Sequence, residues 1–177
     1  AKGRRCYEGG DLLQADEEFD SAIQLLERPG RPDEQLLGAC LTSRARCILD
    51  MADGKGVLSD GTPFASQFEV REHFDHFRQQ AAAQAEETAE RAAALRPDGA
   101  ALACLGRARM LRAELKASGP MSWLHGGEAL EAMQDAGRCF RRALRTGGAP
   151  PDTERGLRDV KAWLAEREVR SLFPDYV

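Results

Sequence analysis

The 177-residue chain lacks any apolar run long enough to span a membrane, because charged residues interrupt every such run. It also lacks a basic excess, since 25 lysines and arginines stand against 29 aspartates and glutamates, giving a net charge of −4. Nucleic-acid binders usually carry a positive balance. No segment shows the sustained two-residue apolar alternation that a sheet requires. These absences exclude a helical membrane span and argue against nucleic-acid binding and a β-sheet fold.

Cysteines are few and do not form sequence pairs. The chain has five, an odd number, and none belongs to a C-x-x-C motif. Each lies in an apolar helical pattern, where a free cysteine behaves as a small hydrophobic residue. This usage favours an intracellular reducing compartment over a secreted disulfide scaffold. We expect the cytoplasm, or the matrix or stroma of an organelle if Ala1 follows a removed transit peptide.

Residue patterns typical of catalytic or metal sites are also scarce. His73 and His76 lie three residues apart, without a further ligand at four-residue spacing or a nearby cysteine. His125 lies alone in a predicted turn, and no nucleophile motif surrounds any cysteine. The glycine pairs lack the strand-to-helix context of a phosphate-binding loop. We therefore expect no enzyme activity, no catalytic residue, no metal and no cofactor.

Prolines divide the chain, and apolar residues recur every three or four positions between them, as on one face of a helix. In one such segment Ala132, Ala136, Phe140 and Ala143 share a face. This pattern predicts an all-α fold. The predicted helices span residues 2–8, 12–28, 34–53, 66–95, 99–117, 127–146 and 152–170.

Two kinds of predicted helix alternate, which indicates an internal repeat. The motif Ser-Arg-Ala-Arg at 43–46 returns as Gly-Arg-Ala-Arg at 106–109, each time in the first helix of a pair. The second helices share the spacing A-x3-(F/A)-x2-A, in which two alanines flank a phenylalanine or a third alanine. Small residues let two helix backbones approach closely. These sets are Ala15/Phe19/Ala22, Ala85/Ala89/Ala92 and Ala136/Phe140/Ala143.

With this alternation the chain resembles the tetratricopeptide repeat (TPR) family, whose unit is a helix–turn–helix of about 34 residues. The clearest repeat runs from Gly3 through the Gly10-Asp11 turn to Pro29. The resemblance implies a single domain over 1–177, folded as a short right-handed α-solenoid of antiparallel helix pairs. The implied parts are repeats at about 1–32, 34–98 and 99–149, a capping helix at 152–170 and an apolar tail at 171–177.

The chain departs from the family pattern through insertions at about 54–81 and 117–132. The helix predicted from Ser66 to Leu95 would be about 45 Å long, so its early part should overhang its partner helix. Apolar residues on an overhang either fold back on the solenoid or meet a partner, and folding back is favoured in a monomer. The insertion and the tail together form a predicted second contact surface. Its residues are Phe64, Phe68, Phe74, Phe77, Phe173 and Tyr176.

Arginines occupy equivalent points of the three first helices, at Arg4, Arg46 and Arg109. The resemblance implies that this face lines a concave groove, to which we assign Ser43 and Arg107 as well. Arginine pairs bidentately with carboxylates, so an acidic segment of a partner protein is the expected ligand. The alternative is that arginine, a good helix former, is simply abundant in this chain.

The resemblance implies a non-enzymatic protein–protein interaction module or scaffold, which binds a peptide or helix of a partner in the groove. The alternative function is a permanent structural or accessory subunit of a large multiprotein complex, for instance in an organelle. The insertion helix and the apolar tail would hold that subunit in place. Neither function involves nucleic acid or direct membrane insertion.

Overall fold

A computed structural model of the chain describes residues 2–29, 33–118 and 125–172. These residues form seven α-helices and one short 3-10 helix, with no strand among them, so the predicted all-α class is confirmed. Six of the seven predicted helices agree with the structure within two residues at each end. The helices are α1 (Lys2–Glu8), α2 (Leu12–Leu26), α3 (Glu34–Ala52), α4 (Arg71–Leu95), α5 (Gly99–Ser118), α6 (Gly126–Thr146) and α7 (Thr153–Leu172), and the 3-10 helix spans Phe64–Gln67.

The chain divides into two compact units, which we call unit 1 (Ala1–Pro97) and unit 2 (Asp98–Val177). In unit 1, α1 packs on α2, α2 on α3 and α3 on α4, and in unit 2 α5 packs on α6 and α6 on α7. As the residue number rises along one helix, the number of the residue that it contacts on the neighbouring helix falls. Between α5 and α6, for example, Lys116 pairs with Glu128, whereas Arg109 lies near Asp135. Consecutive helices within each unit are therefore antiparallel.

Aspartates cap three of the helices. The carboxylates of Asp11 and Asp33 accept hydrogen bonds from backbone N–H groups three residues onward, at 3.1 and 2.9 Å. Asp98 does the same for the N-terminus of α5, at 2.9 Å. Such a cap is worth about 1 kcal/mol. Gly10, at φ 84°, supplies the left-handed conformation that reverses the chain between α1 and α2.

The fourth helix is shorter than the sequence predicted. Instead of one helix from Ser66 to Leu95, the 3-10 helix ends at Gln67, Val70 is extended, and α4 begins at Arg71. A β-branched residue such as Val70 readily adopts this extended conformation. The segment between α3 and α4 therefore contains the 3-10 helix but no α-helix, and the helix predicted to begin at Ser66 begins at Arg71.

The second insertion, predicted at 117–132, overlaps helices that are longer than expected. α5 continues to Ser118 and α6 begins at Gly126, whereas residues 119–124 lie outside the described residues. The predicted capping helix corresponds to α7, which ends at Leu172. Residues 173–177 of the apolar tail lie outside the described residues as well.

Unit 2 has a core built around one aromatic ring. Phe140 is 1% exposed and packs with buried side chains of all three helices of the unit. Two glycines face its ring closely, because a Cβ atom added at Gly106 or Gly156 would lie 2.8 or 2.7 Å from a ring carbon. The small residues therefore let α5 and α7 approach α6 across this ring. The core residues are Ala113, Met133, Ala136, Phe140 and Val160.

Enlarging an alanine of this pattern is expected to destabilise the fold where the alanine is fully buried. Ala143 is buried completely, so Ala143→Leu should lower the free energy of unfolding by about 1–3 kcal/mol through overpacking. Ala22 is only half-buried, and Ala22→Leu serves as the matched control with a smaller loss. Urea denaturation of both variants measures the difference. Equal losses of stability in the two variants would show that the space around Ala143 accepts a leucine as readily as the space around Ala22.

Candidate functional site

A concavity of about 300 Å³ in unit 1 brings together residues of α1, α2 and α3. Three of the five residues assigned to the groove from the sequence line it, namely Arg4, Ser43 and Arg46. The two arginines come from different helices, so the fold rather than the local sequence brings them to one site. The full lining consists of Arg4, Tyr7, Glu8, Phe19, Ser43 and Arg46.

Tyr7 links the concavity to the interior of unit 1. Its hydroxyl donates a hydrogen bond to the carboxylate of Asp50, which is buried in the last turn of α3. The guanidinium of Arg46 lies over the tyrosine ring, 5.5 Å from its centre, in a cation–π contact. Burial, and then the hydrogen bond to Asp50, raise the pKa of Tyr7 above its ordinary value of 10.0. Tyr7 is therefore a neutral hydrogen-bond donor at physiological pH.

Asp50 also ties the loop after α3 to this site. Lys55 places its Nζ 3.1 Å from Asp50 Oδ1. Two residues later the backbone N–H of Val57 donates to the carbonyl of Gly10, at 2.9 Å, in the turn between α1 and α2. The loop thus contacts Asp50 through Lys55, and the turn between α1 and α2 through Val57. Together these contacts fix the orientation of α1, which carries Arg4 and Tyr7.

The two arginines of the concavity differ in how they are engaged. Arg4 pairs with Glu8 one turn along α1, at 2.9 Å, with side chains 80% and 59% exposed. An exposed pair of this kind contributes at most about 1 kcal/mol, so an incoming carboxylate can replace Glu8 at little cost. Arg46 is exposed, and no ion pair found among the described residues includes it. Its cation–π contact leaves donor groups of the guanidinium for a ligand.

Arg109 occupies a different environment from Arg46, despite their equivalent places in the repeat motif. Its side chain is 23% exposed, and its Nη1 lies 3.8 Å from Asp135 Oδ2 and 3.7 Å from Cys139 Sγ. The guanidinium is thus engaged between α5 and α6 of its own unit. Arg107, on the same helix, is half-buried. Within the described residues, the candidate site therefore consists of the unit 1 concavity.

The four phenylalanines of the insertion pack against one another. The ring centres of Phe68 lie 5.1 Å from Phe74 and 5.3 Å from Phe77, and Phe64 lies 5.4 Å from Phe77. Phe64, which was predicted for a second contact surface, is buried, with 1% exposure, and packs against Phe68 and Phe77. Phe68, Phe74 and Phe77 are half-buried at the edge of this cluster. The other two residues assigned to that surface, Phe173 and Tyr176, lie outside the described residues.

The cysteines are all free thiols, and three of them are poor nucleophiles. Burial raises the pKa of Cys47 to about 12 and also raises the pKa of Cys40 and Cys139, so these thiols stay protonated near neutral pH. The described part of the chain contains no group of three or more His, Cys, Asp and Glu side chains placed to hold a metal ion. In the same residues, no helix is both long and apolar enough to cross a membrane.

The sequence prediction missed Tyr7, Phe19 and Asp50 as parts of the site. Asp50 did carry a signal, since a carboxylate follows Ile48 and Leu49 in an apolar run whose residues are buried. A charged residue at such a position needs a buried hydrogen-bonding partner. Its partner Tyr7, however, lies 43 residues away in the sequence, beyond the reach of any local pattern.

Comparisons with protein-family models, with curated proteins and with solved structures find no match to this chain. The resemblance to tetratricopeptide repeats therefore depends only on the residues quoted for it above. The candidate site, in turn, depends on its own geometry.

Proposed function

We propose that the chain is a non-enzymatic interaction module of TPR-like construction, which binds a peptide or helix of a partner protein in the unit 1 concavity. The observation that carries this proposal is the meeting of Arg4 and Arg46, from two helices, around the aromatic side chains of Tyr7 and Phe19. Guanidinium groups beside aromatic rings are typical of protein-binding hot spots.

The lining of the concavity defines the chemistry of the ligand. Arg46 is held on the Tyr7 ring and can donate two parallel N–H groups to a carboxylate. Arg4 can exchange Glu8 for a second carboxylate, while Phe19 offers an apolar contact beside them. The ligand that fits best is therefore an acidic segment with an apolar or aromatic side chain next to its carboxylates.

The helix arrangement supports the TPR-like part of the proposal. Consecutive helices in each unit are antiparallel, as in helix–turn–helix repeats. α7 places Val160 against α6 and exposes Arg155, Arg158 and Lys161. A charged outer face on the last helix is typical of a capping helix.

The alternative function, a permanent subunit of a large complex, depended on the aromatic residues of the insertion helix and on the apolar tail. In unit 1 those rings pack against one another, and Phe64 is buried. The packing of those rings therefore favours the interaction module, whereas residues 173–177 of the apolar tail lie outside the described residues. We propose the interaction module alone.

The proposal is tested by reversing the charge of the concavity. The wild-type chain serves as bait to isolate its partner from the natural source, and calorimetry then gives the Kd of each variant. Arg4→Glu combined with Arg46→Glu should weaken binding at least tenfold, which requires only about 1.4 kcal/mol. Binding of the wild type should also weaken as salt increases.

The matched control is Arg5→Glu combined with Arg71→Glu, which changes the net charge equally at exposed arginines outside the concavity. Both double variants should keep the helical far-ultraviolet spectrum of the wild type. The same Kd for the wild type and the Arg4/Arg46 variant would contradict the proposed site. An equal loss in the control would show that only overall charge matters.

A further inference from the structure

α6 carries four arginines on its exposed face, within its last eight positions before Thr146. They are spaced at i, i+3, i+4 and i+7, so they fall on one side of the helix. All four side chains are exposed, and at 1.5 Å per residue they extend over about 10 Å. We call this set the arginine stripe. Its members are Arg138, Arg141, Arg142 and Arg145.

The stripe is not neutralised by its own helix. Arg138 pairs with Asp135 one turn earlier, but no ion pair found within the described residues includes Arg141, Arg142 or Arg145. The acidic residues of α6 all lie in its N-terminal two thirds, the last of them being Asp135. Three neighbouring guanidinium groups thus face solvent without a carboxylate from α6 near them.

Helix stability explains only part of this arrangement. A positive charge in the last turn is favourable because it offsets the negative end of the helix dipole, and Arg145 occupies that turn. The dipole effect is confined to the last turn, whereas the stripe begins two turns from the end of α6. Like charges one turn apart on a helix are destabilising. The helix dipole therefore accounts for Arg145 alone among the four arginines.

We propose that the arginine stripe is a second docking surface, which binds an acidic helix of a partner protein. Carboxylates at i, i+3, i+4 and i+7 on that helix would match the spacing of the four arginines, and Arg141, Arg142 and Arg145 can each take a carboxylate bidentately. Leu144, 38% exposed and three residues from Arg141, provides an apolar contact at the edge of the stripe. This surface belongs to unit 2, whereas the concavity belongs to unit 1.

Charge favours an acidic protein over a nucleic acid as the ligand. Unit 2 has 13 lysines and arginines against 11 aspartates and glutamates, whereas unit 1 has 12 against 18. The positive charge is thus confined to part of the chain. The chain as a whole has a net charge of −4, and this net negative charge repels a long polyanion. Four arginines are also fewer than the six to ten phosphate contacts that a typical DNA-binding protein makes.

The test uses synthetic probes with the full chain, followed by fluorescence anisotropy. The first probe is a labelled alanine-based helical peptide with glutamates at i, i+3, i+4 and i+7. The second has the same composition with the glutamates spread around the helix, and the third is a labelled DNA duplex. We expect the first peptide to bind at least threefold more tightly than the second, and the duplex to bind more weakly than either.

The decisive variant is Arg141→Glu combined with Arg145→Glu, with Arg28→Glu combined with Arg71→Glu as the control of equal charge change. The stripe variant should weaken binding of the first peptide at least tenfold, while the control should change it less than twofold. The milder Arg141→Lys with Arg145→Lys keeps the charge and should lose part of the affinity.

Three results would overturn the proposal. The first peptide could fail to bind the wild type, which would make the stripe a solvated face only. The duplex could bind more tightly than the peptides, which would make the surface a nucleic-acid site. Finally, both double reversals could weaken binding equally, which would leave only general electrostatics. Far-ultraviolet spectra of all variants establish that the fold is retained.

Discussion

Phe140→Ala is expected to lower the free energy of unfolding by about 3–5 kcal/mol, the usual range for removing a buried ring. The ring is almost fully buried and contacts side chains of α5, α6 and α7. Its neighbours at Gly106 and Gly156 have no side chains with which to fill the space. The cavity would therefore persist, and the cost should lie in the upper part of that range.

The effect can be measured by urea denaturation followed through tryptophan fluorescence. Both tryptophans of the chain belong to unit 2, and Trp163 packs against the core around Phe140. Leu144→Ala is the matched control, because Leu144 lies on the same helix but is partly exposed. If Phe140→Ala cost no more than Leu144→Ala, Phe140 would not be the centre of the unit 2 core.

The helices and much of the core could be predicted because their causes are local. Alanines spaced along one face of a helix predicted its buried side, and Ala85, Ala89 and Ala92 are all fully buried on α4. Prolines and the Gly10-Asp11 turn predicted where helices begin and end. The 3.6-residue period encodes these features within a few turns of the chain.

The segment 54–70 could not be predicted in the same way. The phenylalanine spacing there resembles a helical period, yet the rings pack together across a turn and an extended stretch. Val57 pairs with Gly10, a contact between residues 47 positions apart. Contacts of this range depend on the folded arrangement, and they override the local pattern.

The candidate site, too, could be predicted from the sequence only in part. The sequence pattern predicted equivalent positions for Arg4 and Arg46, and the structure brings both to one concavity. Arg109 has the same position in its motif, but a neighbouring helix supplies Asp135 beside it. The motif thus predicted which helix carries each arginine, whereas the environment of each arginine depended on side chains distant in sequence.

Asp50→Ala is expected to lower the free energy of unfolding by about 1.5–3 kcal/mol, because it leaves the hydroxyl of Tyr7 without its charged acceptor. Asp53→Ala is the matched control. Asp53 contacts Lys55 at the same 3.1 Å distance as Asp50 does, but its side chain is 40% exposed. The loss for Asp53→Ala should be well below that for Asp50→Ala, because Asp53 is more exposed and does not bond Tyr7.

A double-mutant cycle with Tyr7→Phe measures the interaction itself. The double variant Asp50→Ala, Tyr7→Phe should be more stable than the sum of the two single losses implies, with a coupling of about 0.5–3 kcal/mol. Strictly additive losses would show that the hydrogen bond between Tyr7 and Asp50 does not stabilise unit 1.

The pH dependence of stability provides a second readout of the same contact. Burial and the hydrogen bond to Asp50 raise the pKa of Tyr7 in the folded chain, whereas the unfolded chain keeps the ordinary value of 10.0. Below that pH both states hold the phenol proton, and the contribution of Tyr7 is complete. As the pH rises past 10.0, the unfolded chain releases its proton first, so the wild type loses stability.

Tyr7→Phe lacks this loss, and the stability difference between the two proteins should therefore shrink above that pH. A difference that stays constant through this range would show that Tyr7 titrates normally and is not held by Asp50.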